Sequence, residues 1–147
     1  MLNTSAIQPA FAKAAAAACG TLVLCVGGEA LADPCEARLP AKGATFAGEV
    51  RYIGDGDSLC VGPGTNPNTW IEIRLADFYA PELHADGGRQ ARDQLDRLTR
   101  GRRLVCVAQH RSYDRIVAQC GLGGTALGEL LRRGGGLEGG NAYNRCR

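Results

Sequence analysis

The chain has 147 residues, 45% of them apolar and 5% aromatic, and its formal net charge at neutral pH is +2. That length fits one domain, the apolar content excludes a wholly disordered polypeptide, and the charge is too mild to indicate a nucleic-acid partner by itself. Any chemistry on an anion must then come from a few well-placed side chains.

Residues 1–32 read as an export signal. Lys13 precedes the apolar run "AAAAACGTLVLCVGG", and Ala30-Leu31-Ala32 has the small-x-small form of a cleavage site. The run covers 14–28, short of the roughly 20 residues a membrane-spanning helix needs, so removal is expected and the mature chain would start at Asp33. The protein is therefore expected in the periplasm or outside the cell. Of seven cysteines, five lie beyond this point, Cys35, Cys60, Cys106, Cys120 and Cys146, with no C-x-x-C pair among them. In an oxidising compartment their default state is disulfide, and an odd number leaves one over. Basic residues after the cut are almost all Arg, whose planar fork suits phosphate and carboxylate, although genomic base composition produces the same bias.

Residues 33–44, with Pro34, Pro40 and Gly43, have no period and are expected to form an extended leader that Cys35 could pin. Strands are expected at 45–53, 58–62 and 69–78. The first two are joined by the turn Gly54-Asp55-Gly56-Asp57 and the third is set off by "GPGTNPN". In the third, Ile71, Ile73 and Leu75 alternate with Glu72 and Arg74, so Arg74 points away from the core. A helix over 86–101 places Ala91, Leu95 and Leu98 on one face, with Asp86 as its cap and Gly101 as its stop.

Strands at 102–109 and 115–121 flank the loop "HRSYD", where Cys106 and Cys120 would sit opposite each other if the hairpin centres near Tyr113. Cys60 is open to pairing with Cys35 or Cys146. A short helix over 125–133 ends at Gly134, and 141–147 is a tail. The order of elements predicts a mainly β protein with α: a five-stranded Greek-key barrel of the OB type over 45–140, one helix between strands 3 and 4 and a short one after strand 5. "GLGGTALG" lacks the spacing of a nucleotide fingerprint and reads as a turn entering that helix.

Four charged groups fall at strand ends or turns: Asp55 with Asp57, Arg74, Asp77 with Glu82, and Arg115. Each alone reads as a solvated turn residue. Together they hold the parts of a phosphodiester hydrolase: carboxylates for a hard cation, two Arg for a phosphate, and a Glu to take a proton from water. His84 and His110 read as surface loop residues.

The pieces "DGDS", "RLADFYAPE", a subsequent helix and "YDR" resemble, in order and spacing, the thermonuclease (staphylococcal-nuclease-like) family, whose usual forms are DGDT, RL-x-x-x-D-x-PE and Y-G-R. The resemblance implies an OB-fold nuclease that cleaves DNA or RNA with Ca²⁺. It makes Asp57 the first metal-binding aspartate, Arg74 and Arg115 the phosphate-binding arginines, and Glu82 the general base. The family's second metal-binding aspartate falls at Tyr79, which is neutral at pH 7 and a poor ligand. This departure leaves three expectations open. Asp77 with Asp55 replaces the ligand, or Asp57, waters and substrate hold the metal as Mg²⁺ is often held, or the chain is an inactive barrel that binds nucleic acid or another anion.

Overall fold

The computed structural model describes residues 33–139. The expected export segment 1–32, the tail 141–147 and Cys146 lie outside the described residues. In chain order the elements are β1 (Thr45–Ile53), β2 (Ser58–Gly62), a 3-10 turn (Pro67–Thr69), β3 (Ile71–Leu75), α1 (Gly88–Thr99), β4 (Arg103–Ser112), β5 (Arg115–Leu122), β6 (Thr125–Ala126) and α2 (Leu127–Arg133). The described residues are mainly β, with two α-helices. Its strands form one sheet in the order β3-β2-β1-β4-β5-β6, and β3 also pairs with β5 in parallel, so the bonding closes into a ring.

The ring arises from the alternation of its strands. Leu59, Val61, Ile73, Leu75, Leu104, Cys106, Ala108, Ile116 and Ala118 are all buried in one cluster. Partners in register lie on the same face, so Ser58 and Cys60 of β2, Glu72 and Arg74 of β3, and Arg115 and Val117 of β5 share the opposite, outer face. Ala91 and Leu95 from α1 and Leu127 and Leu131 from α2 join the same core, as does Phe78. Each such side chain of Leu, Ile, Val or Phe, fully buried, stabilises the fold by about 1.5–3 kcal/mol.

Several boundaries differ from the expected ones. The third strand is five residues long, because Pro67–Thr69 is drawn into a 3-10 turn capped by the Asn66 side chain and the chain leaves the ladder after Leu75. α1 opens at Gly87 with φ 81° and no side-chain cap, so Asp86 does not cap it. β4 runs on to Ser112, which shortens the expected loop to a tight turn with Tyr113 at φ 58°. A sixth strand takes the first two residues of the expected second helix: Gly123 and Gly124, at φ 59° and 85°, fold Thr125–Ala126 back onto Gly121 and Leu122.

Two bridges are formed among the described residues. Cys106 and Cys120 face each other across β4 and β5, as the hairpin spacing suggests, and Cys35 joins Cys60. The leader thus lies along the ring. Glu36 N–H donates to the Pro67 carbonyl at 3.2 Å, Ala37 N–H to Trp70 at 3.0 Å, and Gly43 N–H to Ala108 at 2.8 Å.

Candidate functional site

The site starts at the turn between β1 and β2. Asp55 Oδ1 accepts the Asp57 N–H at 3.0 Å, and the Asp55 N–H donates to Ser58 Oγ at 3.2 Å, which is how short polar side chains fix a turn. Gly56 is needed for space: a Cβ there would lie 2.5 Å from the Ala80 Cβ and 2.6 Å from the Ala91 Cβ. The turn is therefore pressed between α1 and the segment that carries Tyr79 and Ala80.

Asp57 is only 2% exposed. Its Oδ2 accepts from Arg74 Nη2 at 3.3 Å and from the Ala80 N–H at 3.0 Å. Burial, and then the charge of Asp55, push its carboxyl up to about 7, against the opposing pull of Arg74 and the Ala80 N–H. Arg74 reaches Asp57 because the antiparallel register sets Ser58 opposite Arg74. One edge of its guanidinium is taken by Asp57, and the Tyr79 ring centroid lies 6.0 Å from its central carbon, at the outer limit of a cation–π contact. Tyr79, which stands where a metal-binding aspartate would be expected, here supports the arginine.

Arg115 lies on the same outer face as Arg74. Ile73 pairs with Ile116 and Arg74 with Val117, so Arg115 comes level with Glu72, one step along β3 from Arg74's own row. Glu82 stands in the turn between β3 and α1. It is exposed, and its carboxylate has no hydrogen-bond partner among the described residues. Its backbone is fixed instead: the Ala85 N–H donates to its carbonyl at 2.8 Å, and a Cβ on Gly88 would overlap that carbonyl oxygen.

Asp77 is not brought to Asp57. Its Oδ2 accepts from Gln119 Nε2 at 2.8 Å and from the Gly128 N–H at 3.1 Å, while its carbonyl accepts from Arg132 Nη2 at 2.5 Å. Asp77 thus fastens the end of β3 to β5 and α2. His84 and His110 are exposed, as expected for loop or surface histidines.

These positions bear on a resident metal. Asp55 and Asp57 are the two carboxylates of the turn, one Asp57 oxygen already accepts two hydrogen bonds, and the Oδ2 of Asp77 is taken by Gln119 and the Gly128 N–H. Among the described residues no group of three or more His, Cys, Asp or Glu side chains converges. A calcium ion takes about six to eight oxygens, so this donor set does not fit a preformed calcium site.

One residue of the face escapes the sequence reading. Glu72 is only 7% exposed. Burial first, then a hydrogen bond to Asp33 and the charges of Asp33 and Asp114, push its carboxyl up to about 7, with Arg115 pulling the other way. Alternation in "IEIRL" puts Glu72 outside the core, and the leader then covers it, which periodicity does not reveal.

The sequence matches none of the protein-family models, and no curated protein matches it.

Proposed function

We propose that the chain is an exported phosphodiester hydrolase acting on DNA or RNA, built on a barrel of the OB type and related to the thermonucleases. The observation that carries the reading is the placement of Arg74 and Arg115 on one outer face of adjacent strands, with Arg74 held against the buried Asp57. A guanidinium offers five N–H donors, so an Arg74 that spends one on Asp57 keeps others for a phosphate oxygen.

In this reading Arg74 and Arg115 hold the phosphodiester. Glu82, exposed and without a competing partner, accepts a proton from a water whose oxygen attacks phosphorus. The bond to the leaving oxygen breaks as the new P–O bond forms, the leaving oxygen keeps the bonding pair and takes a proton from solvent water, and the extra negative charge of the transition state falls on oxygens beside the two arginines. Donors already fixed there lower the barrier more than they tighten substrate binding. No step is routed through a metal, because the donor set does not fit a preformed calcium site. The two disulfides among the described residues are compatible with the oxidising compartment that export implies, and among the same residues no helix is long and apolar enough to cross a membrane.

The second reading, a barrel that binds nucleic acid or another anion without cleaving it, is favoured by Tyr79 at the missing ligand position. The two part on one assay: cleavage of single-stranded DNA by the purified protein across a titration of Ca²⁺ and Mg²⁺, with Glu82→Ala as control. The hydrolase reading expects cleavage that is lost in the control. Binding of the DNA that survives chelation, with no cleavage at any metal concentration, would establish the binding module instead.

A further inference from the structure

Glu72 is a buried carboxyl on the face proposed to hold substrate, and the proposed mechanism gives it no task. Its surroundings come from three elements. From the leader, the Asp33 carboxyl helps push the Glu72 carboxyl up, and it acts in the same direction on the Tyr52 hydroxyl of β1. Asp33 also rests on Gly54, where a Cβ would be 3.1 Å from its Oδ2. From the tight turn and β5 come Asp114 and Arg115, and on its own strand Arg74 lies two residues on. Arg92 of α1 acts on Tyr52 from outside this group.

The leader is not free to leave this position. Cys35, two residues after Asp33, is bridged to Cys60, and Cys60 is the register partner of Glu72. The bridge therefore brings the Asp33 end of the leader to the row of Glu72, and Glu72 comes level with Arg115. A Glu72 that keeps its proton leaves this face with one negative charge fewer than a Glu72 that has lost it.

We propose that Glu72, latched by Asp33 of the disulfide-pinned leader, is a positioning residue for Arg115: protonated, it leaves the guanidinium to a phosphodiester, and ionised, it competes with the phosphodiester for it. This rests on the reading of Arg74 and Arg115 as a phosphate clamp. Phosphodiester binding and proton uptake at Glu72 are then linked, each favouring the other. Neighbouring carboxylates oppose a bound anion, so the link has a definite sign. Affinity falls as pH rises through the range where Glu72 ionises.

The test uses the full folded protein carrying Glu82→Ala, so that nothing is cleaved, and a short single-stranded oligonucleotide, whose phosphodiesters do not titrate near neutrality. Binding is followed by fluorescence anisotropy from pH 5.5 to 8.5 in chelator. The expected result is an affinity that weakens above neutrality with a slope approaching tenfold per pH unit. Glu72→Gln should bind at the low-pH level throughout, and Asp33→Asn should move the fall to lower pH without removing it. A slope unchanged in Glu72→Gln would overturn the proposal. If Arg74→Ala and Arg115→Ala bind as tightly as the parent, the clamp reading fails and the proposal falls with it. Carbon NMR of the Glu72 carboxyl gives a reading independent of ligand: it should titrate near neutrality and shift upward in Arg115→Ala, and a titration in the ordinary carboxylate range would also overturn the proposal.

Discussion

At the scale of single residues the site is governed by what burial does to charge. Asp57, with its carboxyl at about 7, keeps a proton in the folded protein over a range where the unfolded chain, at 3.8, has lost it. Stability therefore falls as pH rises from about 4 to about 7 and levels off above, by roughly 4 kcal/mol in the limit where nothing relaxes. Asp57→Asn removes this titration while leaving an oxygen for the Ala80 N–H. We expect that variant, in chelator, to unfold at higher denaturant than wild type at pH 8 and to show a shallower pH slope, the remainder arising from Glu72. Equal slopes in the two proteins would show that Asp57 ionises freely.

Tyr79 marks the other residue-level choice. Its ring lies against Arg74 and supplies no charge, so Tyr79→Asp both adds a third carboxylate near the turn and frees the guanidinium. The expected outcome is a calcium-dependent rise in melting temperature in the variant that wild type lacks at the same concentration, since a ligand stabilises only the state that binds it. Equal response in both proteins would place calcium away from residue 79.

Elements decide whether these residues meet. Gly88 opens α1 under the Glu82 carbonyl so closely that any side chain must move the turn. Gly88→Ala is expected to cost about 1–3 kcal/mol as overpacking. If Glu82 is the base, the variant should also lose roughly 10²-fold in kcat, the cost of displacing a reacting group by about 1 Å. Denaturant unfolding and turnover measured on one sample separate the two effects. A stability loss with full turnover would mean that the position of Glu82 is immaterial to the chemistry.

The elements also show what a sequence can disclose. Alternation in "IEIRL" is enough to put Arg74 outside the core, and the hairpin spacing is enough to set Cys106 opposite Cys120, because both depend on local periods. Asp77 shows the opposite case. Nothing near it in sequence announces that its carboxylate will be taken by Gln119 and by a helix start fifty-one residues on. Glu72 is similar: its burial comes from a leader with no period of its own. The two-residue β6 is hidden for another reason, since paired glycines signal a turn but not the direction in which the chain leaves it.

At the scale of the molecule, the ring of strands converts distant segments into one face. β3 and β5 pair in parallel, and that pairing sets Arg74 and Arg115 on neighbouring strands, facing the same way. The leader, bridged through Cys35, borders the same face. If Arg74, Arg115 and Glu82 act together on one phosphodiester, the loss of any one must slow the reaction. The decisive experiment is kcat/KM for single-stranded DNA cleavage by wild type and by Arg74→Ala, Arg115→Ala and Glu82→Ala, with folding of each checked by its unfolding curve. Every one of the three is expected to lose at least about 10²-fold, the usual worth of a transition-state donor or a positioned base. A folded variant of any of the three that cleaves at the wild-type rate would show that these residues do not form one catalytic unit.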